Sequence, residues 1–436
     1  MKLKNEPKSP LIERGYLLTF ILVTALFFLW AMPNNLNDIL IAQFMKSFEL
    51  SRLQAGLVQS AFYMGYFLLA IPAALVMERF GYKIGLVTGL LFFAVGSFLF
   101  YPAAISGKYS FFLESLFIIA CGLAFLETGA NSFISVLGDP ATSERRLNLA
   151  QAFNPIGSMV GVVVGTIFIF SGKELSGEQI ETMKMAGTYQ AYLKEETLRV
   201  GPPYIVIGCV VLLIAFLIMR AKFPKNETKS GQPESGSFRK LLKYPHWYKG
   251  VIAQFFYVGA QVGTWSFFIQ YVKDNTGLSE KFAGGMLTGT LAAFMVGRFS
   301  ATFLMKYMKP GNLMGLYSIA NIVLVGIGIL FPGWIGVWSV FLTSFFMSLM
   351  FPTIFALGVK GLGPNTKLGG SVIIMAIIGG AVWTPIMGLI ADKTSSMAMA
   401  MIVPLISYLF ILYYSYIGSK PSGELHEGAH PVSVLH

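Results

Sequence analysis

Long apolar runs dominate the sequence and limit what the chain can fold into. Twelve runs come close to or reach the roughly 17–25 residues that an α-helix needs to cross a bilayer. Overall, 55% of the residues are hydrophobic and only 12% are charged. The runs therefore predict an all-α integral membrane protein with twelve transmembrane helices. They cover 16–37, 55–78, 84–103, 109–136, 147–171, 202–220, 247–272, 281–305, 312–331, 333–358, 368–391 and 395–418.

A polar, basic segment at 221–246 divides the runs into two groups of six. We interpret it as a cytoplasmic linker between an N-terminal six-helix bundle, 1–220, and a C-terminal six-helix bundle with its tail, 247–436. The halves repeat each other at an offset of about 225–228 residues; for example, "FFLW" at 27–30 corresponds to "FFYV" at 255–258. Two parallel six-helix repeats are the layout of the major facilitator fold, in which substrate binds between the halves near the membrane midplane.

The net charge of +11 follows the predicted membrane topology. About two thirds of the 32 lysines and arginines lie on the side of the membrane that holds both termini. The positive-inside rule therefore predicts cytoplasmic N- and C-termini. Because the basic residues are explained in this way, the sequence does not favour a nucleic-acid partner.

A polar cluster interrupts the first run, in the stretch "LWAMPNNLNDILIAQF". It contains Pro33, Asn34, Asn35, Asn37 and Asp38. A carboxylate at the centre of a bilayer costs about 2.5–3.5 kcal/mol on insertion scales, so such residues usually face a cavity and work there. We expect Pro33 to break the helix and the asparagines to bind the freed backbone groups.

Glu127, in "FLETGANSF", is a second acid deep within a run, and Asn131 shares its helix face. In the repeat alignment Asp38 corresponds to Ser266 and Glu127 to Pro352, so neither acid has a carboxylate mate in the second half. This asymmetry favours a proton or cation site in the first half. The alternative is that neighbouring asparagines satisfy both acids in a packed interior.

The second half supplies aromatic and amide side chains in the corresponding run. Aromatic rings stack on the C–H faces of a sugar, whereas amides bind its hydroxyl groups, so this combination suits a sugar. Amides also recur at a spacing of three in "NLAQAFN", which places them on one helix face. The residues of the two stretches are Gln254, Tyr257, Gln261, Trp265 and Tyr271, and Asn148, Gln151 and Asn154.

Several other charged residues need an interpretation. Arg298 is either a helix anchor on the cytoplasmic side or a partner for a buried acid, and Glu114 is a solvated residue near the outer end of its run. The stretch "ALVMERFGYK" resembles the gating-loop motif after the second span of facilitator proteins. Glu78, Arg79 and Lys83 are its charged residues.

The sequence contains no motif for catalysis, metal binding or a bound cofactor. Cys121 and Cys209 both lie within apolar runs, and the four histidines lack metal-ligand spacing. There is no phosphate-binding loop and no paired nucleophile and base. We therefore expect neither an enzyme nor a metalloprotein.

Six stretches carry a more specific resemblance across nearly the whole chain. They are "NNLNDIL", "QAGLVQSAFYMGYF", "LETGANSF", "RLNLAQAFN", "AQFFYVGAQ" and "PTIFALGVKGLG". With them the chain resembles the fucose/galactose/glucose:proton symporter family of the major facilitator superfamily, and within it the L-fucose permeases. The resemblance implies a monomer in the bacterial cytoplasmic (inner) membrane that imports a monosaccharide, foremost L-fucose, together with a proton by alternating access. It implies no cofactor besides the coupling proton.

The resemblance also implies roles for individual residues. Asp38 and Glu127 become the acids that couple the proton and bind sugar, and Trp30 becomes part of the cavity wall. Phe351 stands where the fucose branch has a tyrosine. A glucose/galactose carrier, either sodium-coupled or a uniporter, and a membrane sugar sensor are the alternatives. The predicted substrate-binding residues are Trp30, Asn35, Asp38, Glu127, Gln151, Asn154, Tyr257, Gln261, Trp265 and Phe351.

Overall fold

The computed structural model describes residues 14–137, 149–151, 153–223, 238–305, 307–362 and 365–420, and every described element is helical. The first half contains α1 (Leu17–Ser47), α2 (Arg52–Phe80), α3 (Tyr82–Ser106), α4 (Tyr109–Val136), α5 (Asn154–Val164), α6 (Gly177–Met185), α7 (Tyr189–Leu198) and α8 (Gly201–Arg220). The second half contains α9 (Phe238–Leu241), α10 (Pro245–Thr276), α11 (Glu280–Leu304), α12 (Pro310–Leu330), α13 (Trp334–Met347), α14 (Met350–Val359), α15 (Thr366–Met375), α16 (Gly379–Thr394), α17 (Met397–Ala400) and α18 (Ile402–Tyr413).

Eleven helices in the described part of the chain are long and apolar enough to cross a membrane, some of them built from consecutive pieces such as α13 and α14. Helix α10, with 32 residues, is the twelfth span. It is less apolar because it carries Gln254, Gln261 and Gln270 among its hydrophobic residues. The prediction of an all-α membrane protein is confirmed for the described residues.

The expectation that Pro33 breaks the first helix is wrong, because α1 runs without interruption from Leu17 to Ser47. Proline removes one backbone donor, and neighbouring side chains can satisfy the backbone groups around it. Here the Asn34 amide donates to the Trp30 carbonyl at 3.1 Å, and the Asn35 amide donates to the Ala31 carbonyl at 3.0 Å. Neither carbonyl is that of Leu29, which lacks its helical donor because Pro33 has no N–H, so these bonds support the turn before Pro33 without replacing the lost one.

A close helix contact made by glycine occurs at matching places in the two halves. A Cβ atom on Gly157 of α5 would overlap the Phe28 carbonyl oxygen of α1. A Cβ atom on Gly379 of α16 would likewise overlap the Phe255 carbonyl oxygen of α10. Helices α1 and α10 occupy matching places in the two repeats. Glycine is needed at both contacts because only it lets the two backbones approach so closely.

Charged residues join the two halves at the end of the molecule opposite Leu17 and Gly418. We call this end, formed around Ser47–Arg52 and Thr276–Glu280, the distal end. Lys46 lies 3.8 Å from Glu280, and Arg52 pairs with Asp274. Lys273 of the second half also lies 3.2 Å from Glu174 of the first. The backbone N–H groups of Arg52 and Leu53, at the start of α2, donate to Asp392 at 2.9 and 2.8 Å. These contacts close the distal end.

Two of these ion pairs are related by the internal repeat. At an offset of 228 residues Lys46 corresponds to Asp274, and Arg52 corresponds to Glu280. Lys46 therefore pairs with the repeat counterpart of Arg52, and Arg52 pairs with the repeat counterpart of Lys46. The same reciprocal pairing occurs in the interface of a symmetric dimer. The first half contributes both cations and the second half both anions. The two halves thus have charged residues at equivalent positions, but the charges in the second half are opposite in sign to those in the first.

Candidate functional site

A cavity of about 220 Å³ lies between the two halves, which is many times the roughly 10–15 Å³ that one water molecule needs. Its first-half wall is mostly polar, and its second-half wall, which we call the aromatic wall, is mostly apolar and includes four aromatic side chains. The first half contributes Trp30, Ala31, Asn34, Asn35, Asp38, Gln59, Tyr63, Tyr66, Glu127, Asn154, Pro155 and Ser158. The second half contributes Tyr257, Gln261, Val262, Trp265, Leu291, Phe294, Arg298, Phe351 and Ile377.

Helix α1 presents a polar face to the cavity through Trp30, Asn34 and Asp38. Their spacing of four residues places them on one side of a helix. The Asn34 amide also contacts the Tyr66 hydroxyl at 3.4 Å. The predicted polar cluster therefore lies at the interface between the halves, where it faces a cavity and not lipid.

Asp38 is 3% exposed and is bound by both halves. The Gln59 amide donates to Asp38 Oδ1 at 3.1 Å, and the Ser266 hydroxyl donates to the same oxygen at 3.0 Å. Gln59 Nε2 also lies 2.8 Å from Ser266 Oγ. Asn37 donates to Gln59 Oε1 at 3.3 Å, which fixes the orientation of the Gln59 amide.

Glu127 lines the cavity from α4 and accepts a hydrogen bond from the Tyr66 hydroxyl. Asn131, predicted to share its face, donates to the main-chain carbonyl of Glu127 at 2.8 Å. Glu114, on the same helix, is exposed. The two acids of the cavity thus have separate hydroxyl donors, because Ser266 binds Asp38 and Tyr66 binds Glu127.

The aromatic wall is held in place by hydrogen bonds behind it. The Trp265 indole N–H donates to Ser344 Oγ at 3.0 Å, and the Tyr257 hydroxyl donates to the Met347 carbonyl at 3.0 Å. Tyr257 meets Phe351 edge-on, with 6.3 Å between ring centroids. Tyr257 therefore offers the cavity a ring face, since its hydroxyl is already used.

Arg298 also lines the cavity, and its interpretation as a helix anchor or as a partner for a buried acid stays a prediction. Its guanidinium lies 4.9 Å from the Phe294 ring centroid, and its Nε donates to the Ser348 carbonyl at 3.3 Å. The ring and the carbonyl hold the side chain toward the cavity. A cation here adds a positive charge to a cavity that already holds two acids.

The structure brings together nine of the ten residues predicted to contact substrate. The exception is Gln151, which is exposed and donates to Asn131 Oδ1 at 3.1 Å. Helix α5 begins only at Asn154, where Pro155 occupies the first turn, and Phe153 is in a turn. The spacing of three residues therefore does not place Gln151 on the face of Asn154.

The predicted gating-loop residues do not form a charge cluster in the described part of the chain. Lys83 donates to the Ala221 carbonyl at 3.0 Å, at the start of the predicted linker. Arg79 is exposed over the Phe80 ring, with 5.2 Å to its centroid. The Glu78 side chain and residues 224–237 lie outside the described part.

Sequence reasoning missed three residues of α2 that line the cavity, Gln59, Tyr63 and Tyr66. Their spacings of four and three residues put them on one helix face. A polar stripe of this kind within an apolar run was a usable signal. Among the described residues, no group of three His, Cys, Asp or Glu side chains could hold a metal ion.

Comparison with known proteins places this architecture in a family. The Major Facilitator Superfamily matches residues 16–367. The chain is 42% identical to the L-fucose-proton symporter of Escherichia coli (strain K12), over 94% of each chain. It is 35% identical to a glucose/galactose transporter of Brucella abortus biovar 1, over 94% of this chain and 96% of that one.

Solved structures agree with the sequence matches. The crystal structure of the transporter FucP in the outward conformation is 42% identical to this chain and superposes with a TM-score of 0.68, covering 92% of this chain and 99% of that one. A bacterial homologue of the lysosomal transporter Spinster, in an inward-facing and occupied conformation, is 14% identical with a TM-score of 0.74, covering 93% of this chain and 97% of that one. The second likeness shows the fold alone. From the family match and the relatives, the chain belongs to the Major Facilitator Superfamily.

Proposed function

We propose that the protein is a proton-coupled secondary transporter that imports L-fucose by alternating access in the bacterial inner membrane. In this proposal both termini are cytoplasmic and the distal end faces the periplasm. Residues 1–220 and 247–436 move as two bodies joined by the linker 221–246. In this proposal the protein acts as a monomer.

The observation that carries the proposal is a cavity with a mostly polar wall from the first half and a mostly apolar wall with four aromatic side chains from the second. A pyranose has C–H faces that pack on aromatic rings and hydroxyl groups that need donors and acceptors. Trp265 supplies a ring, and Asn35, Asn154 and Gln261 supply amides. The identity to the E. coli L-fucose-proton symporter supports fucose as the sugar.

Asp38 and Glu127 are the proposed carriers of the proton. Burial stabilises the neutral form of a carboxyl group, and contact with water stabilises its charged form. A change of access from one side of the membrane to the other can therefore load and release a proton at the same residue. A proton that moves through about 100 mV supplies about 2.3 kcal/mol, which supports roughly 50-fold accumulation of sugar at about 1.36 kcal/mol per decade.

The test is uptake of labelled L-fucose into proteoliposomes in sodium-free buffer. We expect an inward proton gradient to drive accumulation, and a protonophore to abolish it. Liposomes without protein are the control. Uptake that ignores the proton gradient, and that follows an inward sodium gradient when sodium is added in a second experiment, would refute the proposed coupling.

A glucose/galactose carrier is the second candidate. The 35% identity to the Brucella abortus transporter supports it, and so does Phe351, whose ring offers no hydroxyl. The two candidates differ in which unlabelled sugar competes best with labelled L-fucose. Strong competition by L-fucose and weak competition by glucose supports the first candidate, and the reverse ranking supports the second.

A further inference from the structure

Asp38 is bound by one donor from each half, and the three side chains form a closed triangle. Gln59 belongs to α2 in the first half, and Ser266 belongs to α10 in the second. Both donate to Asp38 Oδ1, at 3.1 and 3.0 Å, and the Gln59 amide reaches Ser266 Oγ at 2.8 Å. Gln59 and Ser266 are each 1% exposed. Water is therefore largely kept from the two donors.

The repeat explains why Ser266 meets this acid. Ser266 is the repeat mate of Asp38, separated from it by 228 residues. When two repeats are related by an axis along the membrane normal, equivalent residues of the two repeats that contact each other lie close to that axis. The contact between Asp38 and Ser266 therefore lies where the halves meet. When the two halves tilt away from each other at the distal end, Asp38 moves with the first half and Ser266 with the second, so their contact is expected to break.

We propose that Gln59 and Ser266 are positioning residues that link protonation of Asp38 to closure of the distal end; this inference rests on the proposed proton symport. A charged carboxylate accepts hydrogen bonds about twice as strongly as a neutral acceptor. Deprotonated Asp38 therefore holds the two halves together. Protonated Asp38 holds them less tightly, so the distal end opens and admits sugar, which then bridges the halves in place of the triangle.

Other ionisable groups lie in the cavity with Asp38 or toward the distal end, and substitution of Gln59 or Ser266 leaves their side chains chemically unchanged. Removal of the Ser266 hydroxyl therefore tests the triangle and leaves the charges of the cavity intact. The groups are Tyr63 and Tyr66 of α2, Glu127 of α4, Tyr257 of α10 and Arg298 of α11, with Lys46 and Glu196 of α7 toward the distal end.

The experiment measures opening of the distal end directly and needs no sugar. Cys121 and Cys209 are first replaced, and spin labels are then placed at the exposed positions Lys108 and Lys393, one on each half. Distances between the labels are recorded by pulsed electron resonance from about pH 5 to 9. In the unmodified site we expect the ratio of open to closed distal ends to rise at least about threefold as the pH falls.

Four variants of this labelled protein test the proposal. Ser266→Ala removes the donor from the second half and should abolish the pH response, and Gln59→Met should weaken it. Ser266→Thr keeps a hydroxyl and should retain the response. Ser407→Ala is the matched control, since Ser407 is also buried but donates only to the Val403 carbonyl of its own helix, at 2.9 Å. It should behave like the unmodified site.

Two results would overturn the proposal. One is a Ser266→Ala protein that keeps the full pH response. The other is a loss of the response in Ser407→Ala that equals the loss in Ser266→Ala, which would indicate general damage to packing. Because the distances are measured without sugar, a failure of proton-driven L-fucose uptake would refute the proposed function separately, even if the pH response depends on Ser266 as expected.

Discussion

Glu127 and Asp38 line one cavity but have different surroundings. Glu127 meets the Tyr66 hydroxyl within the first half, whereas Asp38 is bound by both halves. We therefore expect Glu127 to bind a sugar hydroxyl and to carry or relay the proton. This gives the two acids separable roles in transport.

The Glu127→Gln variant should exchange sugar across the membrane but fail to accumulate it. Glutamine keeps the size and the hydrogen bonding of Glu127 but cannot titrate. Accumulation should fall from the roughly 50-fold that a gradient of about 100 mV supports toward equal concentrations on both sides. Exchange and net uptake of labelled L-fucose in the same proteoliposomes provide the measurement.

Glu114→Gln is the matched control, because Glu114 lies on the same helix but is exposed. It should leave both exchange and accumulation unchanged. If Glu127→Gln loses exchange and accumulation equally, Glu127 is needed for binding or folding and not for coupling.

The Phe351→Tyr variant should bind L-fucose more tightly relative to glucose than the unmodified protein does. Phe351 lines the cavity, and a tyrosine there would offer a hydroxyl to the sugar. One missing partner in a buried site costs about 1–3 kcal/mol, which corresponds to roughly 5- to 150-fold in relative affinity. The measurement is competition of labelled L-fucose uptake by unlabelled sugars. Phe294→Tyr, which adds a hydroxyl elsewhere on the same wall, is the control. If Phe351→Tyr leaves the ranking of the competing sugars unchanged, Phe351 does not contact the sugar.

Residues on one helix face could be predicted from the sequence, whereas contacts between distant helices could not. The spacing of Trp30 and Asp38 alone indicates a shared face. The contact of Asp38 with Ser266 depends on how the two halves sit against each other, which periodicity does not specify. The structure does not bring Gln151 to the cavity, because its spacing to Asn154 assumes one continuous helix and α5 begins at Asn154.

At the scale of helices, the membrane spans followed directly from the apolar runs, but helix continuity did not. Proline is usually a helix breaker, yet α1 continues through Pro33. Membrane helices tolerate proline where neighbouring side chains and local adjustments support the backbone, and here the amides of Asn34 and Asn35 bind carbonyls of the preceding turn. The close packing of α5 on α1 through Gly157 agrees with the small-residue pattern of membrane helices.

A Gly157→Ala substitution should destabilise the first half. The added methyl group would overlap the Phe28 carbonyl oxygen, and the resulting overpacking costs about 1–3 kcal/mol. Thermal unfolding of the protein in detergent should therefore show a lower midpoint. The equivalent change in the second half, Gly379→Ala, should have a similar effect, since it would overlap the Phe255 carbonyl oxygen.

Gly326→Ala is the control for these substitutions. Gly326 lies within α12, and a Cβ atom there would meet nothing within 4 Å. Alanine favours a helix over glycine by up to about 1 kcal/mol. This variant should unfold at the same or a higher temperature. A Gly157→Ala protein as stable as Gly326→Ala would show that α5 can shift away from α1 without cost.

At the scale of the whole molecule, the ion pairs at the distal end bias the halves toward the closed arrangement. Arg52→Asp would place a carboxylate beside Asp274 and should favour opening. The Arg52 and Asp274 side chains are 19% and 28% exposed, and such pairs contribute about 0.2–1 kcal/mol. We expect an impermeant thiol reagent to label a cysteine at Gln261, in the cavity, about two- to fivefold faster.

The double variant Arg52→Asp with Asp274→Arg should restore the original labelling rate, because the pair is present again in reverse. Arg199→Asp is the control, since Arg199 pairs with Glu195 within the first half, at 3.3 Å. It should not change labelling. If the double variant labels as fast as Arg52→Asp alone, the ion pair does not control access to the cavity.

The reversal of charge between the repeats has a consequence for how such a protein can be assembled. If both halves carried the residues of the first, Lys46 and Arg52 would each face another cation at the distal end. Two copies of the second half would bring Asp274 and Glu280 together in the same way. Expressed as separate polypeptides, the halves should therefore form pairs with one member of each kind, since electrostatic repulsion disfavours identical partners. In a duplicated ancestral protein without this reversal, the charges at the distal end would not have favoured pairing of unlike halves over pairing of identical ones.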